Sequence, residues 1–162
     1  VETTLEAFRV AKEANVMTIL NPAPAAPLPD ELLALTDLCA PNEVEAEMLT
    51  GVKTDSTDGA EKAARALQAR GPRTVILTLG ERGALYVEGD APAQFCAAEK
   101  VQAVDSTGAG DAFVGSLSYA LAAGRSLGEA VRVGCAVATR SVLKTGTQTS
   151  FPYRKEVGDI LG

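Results

Sequence analysis

The sequence predicts an α/β protein of three layers built on a mostly parallel sheet. Three observations carry that expectation. Apolar segments of strand length alternate with segments of helical periodicity along the chain. The run Thr74-Val75-Ile76-Leu77-Thr78-Leu79 is continuous and rich in β-branched residues, as a strand buried on both faces requires. Glycine- and threonine-rich turns recur where strand segments end. With 162 residues, 46% of them hydrophobic and 22% charged, the chain has the material for a single domain, 1–162, with a real core.

In chain order, the first expected helix runs from about Thr4 to Asn15. Thr3 stands where a cap is needed and Glu6 completes a capping box, while Leu5, Phe8, Val10 and Ala11 supply an apolar face. Val16 to Leu20 follows as a short strand, ended by Asn21-Pro22-Ala23-Pro24-Ala25 because proline donates no ladder hydrogen bond. Asp30 to Leu35 reads as a short helix and Leu38 to Ala40 as a buried strand. Asn42 opens a helix stopped by Gly51, and a further helix from about Gly59 to Arg70 ends at Gly71-Pro72. The strand at 74–79 comes next, with Ala84 to Val87 as its hairpin partner and loop-rich β structure over 89–104. The last third is helical, from near Gly108 to before Gly124, from about Leu127 to Leu143, and again from near Pro152.

Composition excludes several function classes. The net charge is −6 with no basic block, which argues against nucleic acid and anionic membrane surfaces. There is no histidine, so histidine bases, triads and metal ligands are excluded. Cys39, Cys96 and Cys135 are odd in number and far apart, which supports reduced thiols and a cytoplasmic location. The uncharged stretch 14–29 is broken by four prolines and cannot be a membrane helix. The chain opens on Val1 and runs straight into a helical pattern, the expectation being a start inside a longer protein.

Four segments carry possible chemistry. Asp105-Ser106-Thr107-Gly108-Ala109-Gly110-Asp111 feeds a small-residue loop into a helix. Helix N-termini present unpaired N–H groups and a positive dipole end, so Gly108 to Asp111 can cradle a phosphoryl group, with Asp111 at its rim as a proton acceptor. A glycine turn followed by an acidic first-turn residue is the alternative reading. Thr78-Leu79-Gly80-Glu81-Arg82-Gly83 lies at the carboxyl end of the best strand, where open α/β sheets bind ligands, or is an ordinary turn. Asn42 and Glu45 share a helix face. They suit a hydrated magnesium ion, a capping box, or both. Thr145 to Ser150 is a polar loop whose oxygens can bind a hard cation together with Asp105, or simply end the chain's long helix. Dinucleotide, Walker A and protein-kinase signatures are absent; Phe113 occupies the place of a third glycine.

Together the four segments resemble the ribokinase group of the phosphofructokinase-B sugar kinases, in the family's order and through essentially the whole chain. Asp105 to Asp111 resembles the family's C-terminal signature. Asn21 to Ala25 and Gly146-Thr147-Gln148 resemble the ribokinase branch more than the fructokinase or adenosine kinase branches. The resemblance implies a ribokinase-like fold with a Rossmann-like core, lacking the family's N-terminal part and β-lid. It implies transfer of the γ-phosphoryl of ATP to a sugar hydroxyl, D-ribose giving D-ribose 5-phosphate. Asp111 is then the catalytic base and a sugar contact, with Gly108, Ala109 and Gly110 as the anion hole. Asn42 acts on phosphate and Glu45 on magnesium through water. Thr78, Leu79, Gly80, Glu81, Arg82, Gly83 and Gly110 are implied to bind nucleotide, with Cys135 beside the adenine. Asp105, Thr107, Ser141, Lys144, Gly146 and Ser150 are implied to hold an activating potassium ion, several through backbone carbonyls.

Most sugar contacts of that family lie in the half this chain lacks. The expectations are therefore a nucleotide-binding and catalytic portion, or else a non-catalytic nucleotide-binding or interaction module, or a kinase for another sugar or a nucleoside. A homo-oligomer is also expected, dimeric in the full-length protein, with the uncovered sheet edge favouring self-association.

Overall fold

The computed structural model describes residues 1–161, which form two compact units: 1–79 with 85–95, and 80–84 with 96 onward. Five strands form one sheet in sequence order: β1 (Ile19–Leu20), β2 (Leu38–Cys39), β3 (Thr74–Thr78), β4 (Gly83–Glu88) and β5 (Gln94–Ala97). β1 pairs with β2 in parallel, Ile19 opposite Leu38, and β2 pairs with β3 in parallel, Leu38 opposite Thr74. β4 and β5 follow through connections too short for a parallel crossover, so they extend the parallel core as hairpins. The Gly89 N–H bonds the Arg73 carbonyl at 3.0 Å, closing the first of them. The α/β class and the mostly parallel open sheet expected from the sequence both hold.

In the first unit, α1 (Glu2–Glu13), α2 (Asp30–Ala34), α3 (Glu43–Thr50) and α4 (Thr57–Gln68) accompany the parallel strands. Its core joins Leu32 and Leu33 of α2, Ala46 of α3, Ala60, Ala63, Ala64 and Leu67 of α4, and Val75 and Leu77 of β3. Each fully buried leucine or valine contributes about 1.5–3 kcal/mol relative to exposure. Alanines on α4 let that helix lie close to the strands.

The second unit holds α5 (Ala109–Ala122), α6 (Leu127–Ser141), a 3-10 turn over Arg154–Glu156 and α7 (Gly158–Leu161). A side chain at Gly134 of α6 would come within 2.8 Å of the Phe113 ring of α5, so glycine is what allows the two helices to meet there. No described helix is long and apolar enough to cross a membrane.

Three elements differ from expectation. α1 begins at Glu2 after Val1, with no side-chain cap, because Thr3 already lies in the helix and the Glu6 carboxylate pairs with Arg9 at 3.1 Å. Val10 is 56% exposed, so the apolar face of α1 is narrower than its spacing predicts, and only Leu5 and Phe8 reach the core. β1 is shorter than 16–20: Asn15 turns with φ 55°, and the Val16 N–H bonds back to the Ala11 carbonyl at 2.8 Å. The last helix is a 3-10 turn followed by α7 instead of one run from Pro152.

Candidate phosphate and nucleotide site

In the first unit the structure brings Asn42 and Thr78 together. They form a parallel bridge, and the Thr78 N–H bonds the Pro41 carbonyl at 3.0 Å. Asn42 caps α3: its Oδ1 accepts the Glu45 N–H at 2.9 Å, while its own N–H donates to Glu45 Oε2 at 2.8 Å. The capping box read from the sequence is thus present, and it buries Glu45 to 4% exposure at the head of a helix. Gly51 ends α3 in the left-handed conformation, as its position predicts. Leu79 is buried in the core, and the Cys39 thiol is pushed up to about 12 by burial and then by the Glu45 carboxylate. One buried carboxylate beside an amide fits a magnesium ion that keeps most of its waters. Among the described residues, no three acidic or cysteine side chains gather as a direct metal cage.

In the second unit, Gly80, Glu81 and Arg82 form a single 3-10 turn, with Gly80 at φ 55°. Gly83 has φ 110°, and a Cβ there would lie 2.0 Å from the Cys96 carbonyl oxygen. That glycine is therefore required by the close approach of β5, independently of any ligand. Cys135 lies buried in α6; burial raises its thiol pKa, as does the neighbouring Cys96 thiol.

The loop before α5 is tied to the end of α6. The N–H groups of Val104 and Asp105 bond the Val142 carbonyl at 2.8 and 3.2 Å. Asp105 Oδ1 accepts the Thr107 N–H at 2.9 Å, and its Oδ2 accepts the Gly146 N–H at 2.9 Å. The Gly146 and Thr107 donors together hold the Asp105 carboxyl at about 2. Gly108 caps α5 with φ 82°. Of the three expected anion-hole residues, Ala109 has its N–H committed to the Ser106 carbonyl at 3.1 Å. Among the described residues, the N–H groups of Gly108, Gly110 and Asp111 have no acceptor, and the exposed Asp111 carboxylate has no partner. Gly110 has open space on its Cβ side.

The expected cation residues cluster here too. Ser150 is fully buried and donates to the Thr147 carbonyl at 2.7 Å; the Ser141 carbonyl accepts the Lys144 N–H at 3.4 Å. Lys144 sends its ammonium to Glu156 at 2.7 Å, which leaves only its carbonyl for a cation. These donors are all oxygens, the chemistry a hard cation takes.

Sequence reasoning placed Thr147 only within a polar, cation-binding loop and missed Phe151. A side chain at Gly108 would come within 2.8 Å of Thr147 Cγ2 and 3.0 Å of Phe151 Cε1. The signal was an aromatic residue next to a wholly polar loop.

The family model "pfkB family carbohydrate kinase" matches residues 1–154. A ribokinase of Haemophilus influenzae is 44% identical over 155 residues, covering 96% of this chain and 50% of that protein. A deoxyribokinase of Salmonella typhi is 36% identical over 161 residues, covering 99% of this chain and 52% of that protein. Among solved structures, an Arabidopsis thaliana ribokinase complexed with ribose and ATP matches with a TM-score of 0.92 and 30% identity, over 98% of this chain and 52% of that one. The chain spans about half the length of the curated relatives it matches.

Proposed function

We propose, from the premise that this chain belongs to the pfkB family of carbohydrate kinases, that it carries the nucleotide-binding and phosphoryl-transfer part of an ATP-dependent pentose kinase, with D-ribose as the acceptor and D-ribose 5-phosphate as the product. The observation that carries this reading is the exposed, unpartnered Asp111 carboxylate beside the unpaired N–H groups of Gly108, Gly110 and Asp111.

Asp111 takes the proton from the sugar hydroxyl as its oxygen attacks the γ-phosphorus and ADP leaves. The free N–H groups and the positive end of α5 stabilise charge on the transferred phosphoryl, the main need of such a loose transition state. The Ala109 N–H, already bonded, shapes the turn rather than the hole. The family resemblance supports assigning Asn42 and Thr78 to phosphate, the turn 80–83 to the nucleotide and Cys135 to the base. Magnesium near Glu45 neutralises phosphate charge when bound. The oxygens of Asp105, Thr107, Ser141, Lys144, Gly146 and Ser150 would hold a potassium ion, whose charge would favour the anionic phosphoryl group.

The test compares the wild type with Asp111→Asn, measuring phosphate transfer to ribose and ATP affinity by calorimetry. Loss of the base is expected to lower kcat by about 10²–10⁴-fold with ATP affinity unchanged. A near-wild-type kcat overturns the role of Asp111. ATP binding without transfer in the wild type supports the second reading, a nucleotide-binding module. Faster transfer to deoxyribose, another sugar or a nucleoside reassigns the acceptor.

A further inference from the structure

We infer that Phe151 and Thr147 are positioning residues for phosphoryl transfer, acting through Gly108 at the head of α5. The inference rests on the kinase reading above. Gly108 takes a left-handed φ of 82°, and a Cβ on it would meet both Thr147 Cγ2 at 2.8 Å and the Phe151 ring at 3.0 Å, so the two side chains crowd the same side of the turn. Neither side chain reaches past Gly108 to a reacting atom; they form a backstop. The backstop is anchored, because Asp105 bonds the Gly146 N–H and buried Ser150 bonds the Thr147 carbonyl. The turn at Gly108 sets where the N–H groups of Gly110 and Asp111 point, and with them the Asp111 carboxylate. Ala109 cannot correct a shifted turn, since its N–H is spent on Ser106. A displacement of the order of 1 Å at such a site costs about 10²-fold in rate.

The experiment replaces Phe151 with alanine and with leucine, and reads two quantities. Amide hydrogen exchange at 108–111 needs no activity. The kinetic arm separates kcat from KM for ATP. Phe151→Ala is expected to speed exchange at 108–111 selectively and to lower kcat about 10²-fold with KM for ATP unchanged. Phe151→Leu, which refills the space, restores both. If Phe151→Ala does not fold, Thr147→Ser carries the test, since it removes only the methyl that faces Gly108; the same signs are expected, smaller in size. Unchanged exchange at 108–111 overturns the inference, as does acceleration spread evenly over the chain with no recovery in Phe151→Leu. If the wild type transfers phosphate to no sugar, the kinase reading fails while the exchange arm still decides whether Phe151 and Thr147 set this turn.

Discussion

Asp105 ties two loops with one carboxylate, and the tie has a pH signature. Its oxygens accept N–H groups from Thr107 and Gly146, forty-one positions apart in the latter case. Those donors favour the ionised form, so the group sits at about 2 in the folded protein against an ordinary 3.8. A depressed carboxyl pKa gives stability that is complete above the unfolded value and is lost as pH falls through the folded one. Denaturation midpoints of the wild type and Asp105→Asn should therefore differ at neutral pH and converge as pH drops from 3.8 to about 2. A gap that stays constant across that window would show that the carboxylate charge contributes nothing. The segment around Asp105 was legible from its glycines as a loop that opens a helix. That both carboxylate oxygens already serve backbone donors was not, because the Gly146 partner is distant in sequence. Gly83 is the converse case: the sequence left it in a ligand turn or an ordinary one, and its conformation follows from the β5 backbone pressing against it.

Helix ends show why a local pattern is informative only with its surroundings. Asn42 with Glu45 and Thr3 with Glu6 have the same spacing, yet only the first makes a capping box. α3 starts at Glu43 because Asn42 is held extended by its bridge to Thr78, whereas nothing holds Thr3 out of α1. Another box, Ser126 with Glu129, begins α6: the Ser126 N–H reaches Glu129 Oε2 at 2.9 Å, and the Glu129 N–H reaches Ser126 Oγ at 3.4 Å. Replacing Ser126 by alanine is expected to cost about 1 kcal/mol. Thr3→Ala should stay within about 0.5 kcal/mol, as at an ordinary surface position. Thermal unfolding of the two variants checks this, and equal losses would mean that the boxes are not what separates them. The long helices and β3 were readable because their apolar spacing answers to burial along a whole segment. β1 was overread, since its first residues are steered by the turn at Asn15 and not by their own β propensity.

At the scale of the whole chain, the family, the α/β class and the order of the site segments were all carried by sequence, because turn glycines and strand hydrophobicity punctuate the fold in a fixed order. What sequence did not locate is which strand the uncovered edge falls on. β1 lies at the end of the sheet order, with β2 as its only paired strand among the described residues. The carbonyls of Thr18 and Leu20 turn toward β2, accepting from Leu38 at 3.1 Å and Ala40 at 2.8 Å. With the two-residue period of a strand, the backbone groups of Ile19 turn the other way, to the open edge. Just before them, Val16 and Met17 are 56% and 49% exposed. An unpaired edge flanked by exposed apolar side chains is a template for another strand, and no lysine or proline blunts it within 16–20. These 162 residues should therefore self-associate as concentration rises. Met17→Lys puts a charge beside the edge without touching the core and should shift the association to higher concentration at unchanged thermal stability. Sedimentation velocity over a concentration series reads both proteins. A wild type that stays monomeric throughout, or a Met17→Lys variant that associates as strongly, would show that this edge is closed to strand pairing.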